Sequence, residues 1–318
     1  MATSRFAADR QLSVRMVSVI ALLAVAYAAA IGVLVVVLGK FWPLGVAAVV
    51  AFFVFQMASS DRVALAAAKA HEVGPDEEPD LHAMVDRLCA LANMPKPRVA
   101  IINSPVPNAF AAGRSRRGVV LCVTRGLREQ LDDAELEGVL AHELSHIAHG
   151  DAVVMTVASF IGVLAGLTAR IGARLMYFAG RARNLWQFLA IAFAVTVLSA
   201  VTWFISLLLI RALSRYREFA ADRAAALLTG NPAALGSALN KVSGAAGLIP
   251  HKDLRRATAL NAFYFCPVHL QHSPKQKSDD EGGSTTDKFA SGRSMFSTHP
   301  SVQARLERLA RIADDLSH

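Results

Sequence analysis

Asp132-Asp133-Ala134-Glu135-Leu136-Glu137-Gly138-Val139-Leu140-Ala141-His142-Glu143-Leu144-Ser145-His146 is the stretch that decides how the chain is read. Asp132 followed three residues later by Glu135 is a capping box, so the spacing predicts a helix from Asp133 to about His149. On that helix His142 and His146 lie four residues apart and face the same way, while Glu143 leans beside them. Two imidazoles on one face suit a zinc ion, and a neighbouring carboxylate can take a proton from water bound to it, the pattern expected for peptide-bond hydrolysis. The plainer reading is a surface helix of solvated charge. Against it, the helix runs from a capped start straight into the apolar segment that follows Asp151.

A third ligand has to come from elsewhere. His149 shares the face but lies seven residues from His142, about 10.5 Å along the axis, too far for one ion with bonds near 2.1 Å. It reads as a helix-end residue near the carbonyls, or as one that supports a ligating side chain from behind. Glu218 is the candidate, in Arg215-Tyr216-Arg217-Glu218-Phe219-Ala220-Ala221-Asp222, with Asp222 one turn on and able to accept the free N–H of a ligating His. The same stretch also reads as an exposed charged helix face, with Arg215 and Arg223 paired to the acids. The residues alone do not choose between the two.

Around this motif the chain of 318 residues is 54% hydrophobic and 18% charged, which excludes a disordered chain, a nucleic-acid-binding tail and a disulfide-stapled mini-protein. Met16 to Leu38 and Phe41 to Ala58 form one apolar hairpin, Ala152 to Ala169 and Leu185 to Ile210 a second. The first run exceeds the apolar core of a signal peptide, and a second span follows at once. None of the four holds an acid, which speaks against a transporter. The formal charge of +8 falls beside these runs, where it suits anionic lipid. Arg5, Arg10 and Arg15 put the amino-terminal tail, residues 1–15, in the cytosol, and two spans return the chain there. Arg170, Arg174, Arg181 and Arg183 in the second hairpin's turn conflict with a full crossing, which stays open. Cys89, Cys122 and Cys266 have no paired spacing and read as reduced thiols.

The expected organisation is a tail, a transmembrane hairpin over 16–58, a first cytosolic part over 59–151, the second hairpin over 152–210, and a second cytosolic part over 211–318 with a mobile loop at 271–295. In the cytosolic parts, Pro79 to Ala92 reads as an amphipathic helix, Arg98 to Ile102 and Gly118 to Thr124 as strands around a turn-rich stretch at 104–108. The fourth apolar segment continues as one helix to Leu228, Pro232 to Leu248 forms another, and Pro300 to Leu316 a last amphipathic one. The fold class expected is a mainly α membrane protein with a zincin-like α+β domain, its small β-sheet beside the His-Glu-x-x-His helix.

The sequence resembles the HtpX family of bacterial membrane zinc peptidases, relatives of the CAAX prenyl proteases. Four blocks carry the resemblance: Pro107-Asn108-Ala109-Phe110-Ala111-Ala112-Gly113; Thr124-Arg125-Gly126-Leu127 through His142-Glu143-Leu144-Ser145-His146 to Asp151; Glu218 with Ala221-Asp222; and Thr298-His299-Pro300. It implies that His142, His146 and Glu218 hold one zinc ion, that Glu143 is the general base, and that Asp222 orients a ligating His. It further implies that Asn108 and His299 bind substrate or the oxyanion; as plain residues they read as a turn Asn and a helix-capping His. The implied activity is a zinc metalloendopeptidase of the inner membrane, active on its cytoplasmic side against misfolded or damaged membrane proteins and unfolded polypeptides, with no nucleic-acid partner. The other readings are a processing protease of the CAAX type and a non-catalytic zinc-binding membrane scaffold.

Overall fold

The capped helix predicted at Asp133 forms where the sequence puts it, and the sheet and three further helices are arranged around it. The computed structural model describes residues 42–113, 118–179, 186–245 and 299–317, with scattered positions between 14 and 40. In order these form α1 (Trp42–Ala68), β1 (His71–Glu72), α2 (Pro79–Ala92), β2 (Arg98–Ile102), β3 (Ala109–Ala112), β4 (Val120–Thr124), α3 (Arg125–Gln130), α4 (Asp133–His149), α5 (Asp151–Ala179), α6 (Trp186–Thr229), α7 (Pro232–Ala245) and α8 (Val302–Ser317). The tail, most of the first apolar run and the loop at 271–295 lie outside the described residues. Contacts among the described residues group into two units, Asp61–Ala152 with Arg215–His318, and Arg10–Ser60 with Val153–Ser214.

In the first unit, four strands form a mixed sheet in the order β1-β2-β4-β3. β2 and β4 run parallel, Arg98 opposite Val120, and β3 pairs antiparallel with β4, Phe110 opposite Cys122. The sequence reading missed β3 and began β4 two residues early. Ala-Phe-Ala-Ala has little strand propensity of its own, and the ladder to β4 imposes the extended form. Pro79 opens α2 where no amide partner is needed, and Asn93 closes it in a left-handed conformation, φ 51°. Leu81, Val85 and Leu88 of α2 pack with Leu121 and Val123 of the sheet, Val139, Leu140 and Leu144 of α4, and Leu235 and Leu309 of α7 and α8. Cys89 is buried in this packing and Cys122 in a second cluster with Ala100, Phe110 and Val120, both as free thiols pushed up to about 11 and about 12 chiefly by burial.

α4 is fixed at its start. Asp132 accepts from the Glu135 amide at 2.9 Å, and the Glu135 side chain accepts from the Asp132 amide at 3.0 Å. The Glu135 carboxylate also receives Ser237 Oγ and Lys241 Nζ of α7, each at 2.6 Å. Gly138 allows the close approach, since a Cβ there would stand 3.3 Å from Leu235 Cα. Burial works against the charged form of Glu135, but the bonds from Lys241 and Ser237 win and hold its carboxyl below the ordinary value.

In the second unit, α5 meets α6 through Gly162 and Gly166, a G-x-x-x-G pair. A Cβ on Gly166 would come within 3.1 Å of the Trp203 ring. Phe160 is buried against Phe52 and Phe53, ring centroids 5.8 and 4.8 Å away. Leu44, Phe55, Phe193 and Phe204 are exposed. Among the described residues one helix, Phe193–Thr229, is long and apolar enough to cross a membrane, and Pro43–Gln56 is a shorter apolar helix.

Because the folded-state carboxyl of Glu135 is lowered, its stabilisation is present above the unfolded value near pH 4.3 and is lost as pH falls through the folded value. Glu135→Gln should therefore lower stability by about 1–3 kcal/mol at pH 7. Thermal unfolding in detergent should show the gap to the parent closing as pH drops below about 4.

Candidate metal centre

α4 delivers His142 and Glu143 to the interior, where they are 1% and 5% exposed, with His146 one turn on. Each imidazole is held from behind. His142 Nδ1 lies 3.0 Å from Asp222 Oδ1, and His146 Nδ1 lies 2.6 Å from Asp151 Oδ2. With Nδ1–H given to a carboxylate, each ring turns an Nε2 lone pair inward, and the two Nε2 atoms stand 3.1 Å apart. Glu218 brings its oxygens to 3.8 Å from His142 Nε2 and 3.6 Å from His146 Nε2. Its buried Oε2 has no hydrogen-bond donor of good geometry.

These contacts ask for positive charge at their centre. Burial pushes the His142 imidazole down to about 4 and keeps it neutral. For His146 burial works in the same direction, but the bonded Asp151 carboxylate, with Glu218 and Glu143 behind it, raises the ring above its ordinary value. A tetrahedral ion with bonds of about 2.1 Å separates its ligand atoms by about 3.4 Å. The observed spacings of 3.1, 3.6 and 3.8 Å bracket that value, and ligand atoms of His142, His146 and Glu218 all lie within 4.8 Å of one another. The donor set of two imidazoles and a carboxylate suits zinc.

Glu143 stands beside this centre, with the Ala111 amide of β3 among the groups that favour its charged form. Burial pushes its carboxyl up to about 7. His299 is buried with Nδ1 3.3 Å from Glu218 Oε2. Asn108 is buried at the head of β3, its amide donating to Thr124 Oγ1 at 2.8 Å and its carbonyl accepting the Thr124 amide at 2.9 Å. His149 donates Nδ1–H to the Ser145 carbonyl at 2.8 Å, the helix-end position expected of it.

The exposed-face reading of Glu218 and Asp222 fails, because they are 6% and 0% exposed. Their cation is Arg305 of α8, which reaches Asp222 through Nη2 at 2.6 Å and Nε at 2.8 Å, and Glu218 through Nη1 at 3.5 Å. The sequence reading passed over Arg305, although it sits in the apolar stripe of α8 with Val302, Leu309 and Ile312. It also passed over Asp151 and its partner Arg217, whose Nε lies 2.8 Å from Asp151 Oδ2.

A match to peptidase family M48 spans residues 75–313. The chain is similar to Protease HtpX homolog 1 of Streptomyces coelicolor, 49% identical over 313 residues, covering 98% of this chain and 96% of the relative. It is similar also to Protease HtpX homolog 2 of Methanosarcina acetivorans, 43% identical over 84% of each chain, and to a Protease HtpX homolog of Moorella thermoacetica, 44% identical over 81% of this chain and 80% of the relative. Among solved structures Ste24p of S. mikatae has a similar fold, with a TM-score of 0.51 at 17% identity over 95% of this chain and 67% of that one.

Arg305→Leu should leave two buried carboxylates without their guanidinium and cost about 3–5 kcal/mol, read as a lowered unfolding midpoint in detergent.

Proposed function

The chain belongs to peptidase family M48, a family of zinc-dependent metalloproteases, and on that premise we propose that it is an endopeptidase working at the site of His142, His146 and Glu218 with Glu143 as general base. The observation that carries this is the pair of Nε2 atoms 3.1 Å apart beside a buried carboxylate. Bound there, one zinc ion per chain would polarise the scissile carbonyl and acidify a water. Glu143 accepts the proton of the attacking water as oxygen bonds to the carbonyl carbon, then gives it to the leaving amine as the C–N bond breaks. Asp222 holds His142 in the tautomer that presents Nε2. His299 and Asn108 are assigned to substrate and oxyanion binding, which their burial beside Glu218 and at the head of β3 supports.

β3 is an edge strand, and Asn108, Phe110 and Ala112 bond across to β4 by the antiparallel alternation. Ala109 and Ala111 therefore turn their backbone groups to the other edge, where Ala111 already meets Glu143. An extended polypeptide can add to that edge, which favours unfolded segments as substrates.

We place the protein in the inner (plasma) membrane as a multi-pass chain: four apolar helices in two hairpins over 16–58 and 152–210, the tail 1–15, and catalytic parts 59–151 and 211–318 on the cytoplasmic side. Support comes from the exposed apolar side chains of α1 and α6, the G-x-x-x-G packing of α5, and the arginines of the tail. Substrates are then misfolded or damaged membrane proteins or unfolded polypeptides. A structural zinc scaffold fits less well, because such sites are closed by four protein ligands and this group has three among the described residues, with an acid beside it.

Glu143→Gln should keep the parent's zinc content yet lower cleavage of casein or a membrane-protein substrate by about 100-fold or more. Chelation should stop the parent, and zinc should restore it. Retained cleavage in the variant, or cleavage indifferent to chelator, would overturn the assignment.

A further inference from the structure

Each imidazole of the centre is backed in the same way, by a carboxylate and then a guanidinium. For His142 the chain of contacts is Asp222 and Arg305; for His146 it is Asp151 and Arg217. The first was legible in part from the sequence. The second involves residues to which nothing so far assigns a role, and we propose that Asp151 and Arg217 are positioning residues that fix His146 as a metal ligand. The proposal rests on the reading of His142, His146 and Glu218 as the metal centre.

Three observations carry it. Asp151 is 3% exposed, and a buried carboxylate is retained only where partners compensate it. Its Oδ2 is hydrogen-bonded to His146 Nδ1 at 2.6 Å and forms an ion pair with Arg217, whose Nε lies 2.8 Å away without hydrogen-bond alignment. Its Oδ1 is buried with no hydrogen-bond partner, so the side chain does not cap the amides of α5, the work otherwise expected of an Asp at a helix start. The carboxylate is therefore directed at the imidazole, and Arg217 holds it there.

Position along the chain adds a consequence. Asp151 is the first residue of α5 and Arg217 lies next to Glu218 on α6, so the pair joins the two ends of the segment inserted between His146 and Glu218. Glu218 cannot shift without Arg217, nor Arg217 without the carboxylate that sets His146. A single clamp fixes the spacing between a ligand from α4 and a ligand from α6.

The test measures zinc affinity of the full chain in detergent by chelator competition, with the visible spectrum of the cobalt-substituted protein as a second readout. Asp151→Ser keeps a residue suited to a helix start but removes the carboxylate; Arg217→Gln and Arg217→Lys act from the far end. Asp151→Ser is expected to weaken zinc binding by about 10–100-fold and to alter the cobalt spectrum. Arg217→Gln should follow in the same direction, and Arg217→Lys should recover part of the loss. Parent-like affinity and spectrum in both Asp151→Ser and Arg217→Gln would overturn the proposal. Should Asp151→Ser fail to fold, the two Arg217 variants decide by the same criterion. A parent chain that binds no zinc would instead sink the metal-centre reading itself, so the two failures are distinguishable.

Discussion

Two imidazole Nε2 atoms held 3.1 Å apart in the interior are the constraint on which the catalytic unit depends. With both rings neutral and each Nδ1–H given to a carboxylate, such a contact is unfavourable, and a proton on His146 or a cation held between the nitrogens relieves it. It persists here because both rings are oriented from behind by carboxylates and because α4, which carries them, is fixed at several points. The capping box sets where α4 begins. Ser237 and Lys241 tie that beginning to α7, Gly138 lets the two helices close, and Leu140 and Leu144 bury its inner face. The sheet contributes through β3, whose Ala111 amide favours the charged form of Glu143.

What was legible in the sequence was what is local. The i, i+4 spacing of His142 and His146, the Asp132–Glu135 box and the run of α6 past its apolar segment all depend on residues within a turn or two of each other. β3 escaped because Ala109–Ala112 has no strand signal of its own and is extended only through β4. Arg305 and Arg217 escaped because their partners are distant in sequence: Asp222 is 83 residues from Arg305, and Asp151 lies beyond a whole inserted segment from Arg217. A charged residue in the apolar stripe of α8 was the visible trace, and its meaning needed the carboxylate opposite. Glu218 shows the intermediate case. Its spacing from Asp222 marked a helix face, but only burial separates a ligand from a solvated acid.

The charges at the centre can be set against one another. Among the described residues Glu143, Asp151, Glu218 and Asp222 are four buried carboxylates at the centre, and two guanidinium groups reach them, Arg217 at Asp151 and Arg305 at Glu218 and Asp222. With the imidazoles neutral, this leaves two negative charges uncompensated in a place where an unpaired charge is expensive. Two features show the strain. His146 is held above its ordinary value by the carboxylates around it, and the Glu143 carboxyl is pushed up to about 7, first by burial, with Glu218 among the groups that raise it. A divalent cation between His142, His146 and Glu218 would supply the two positive charges in one step, free His146 to stay neutral as a ligand, and let Glu143 ionise. The arginines are thus part of the charge balance of the centre: among the described residues they leave an excess of two negative charges, which one divalent ion would match.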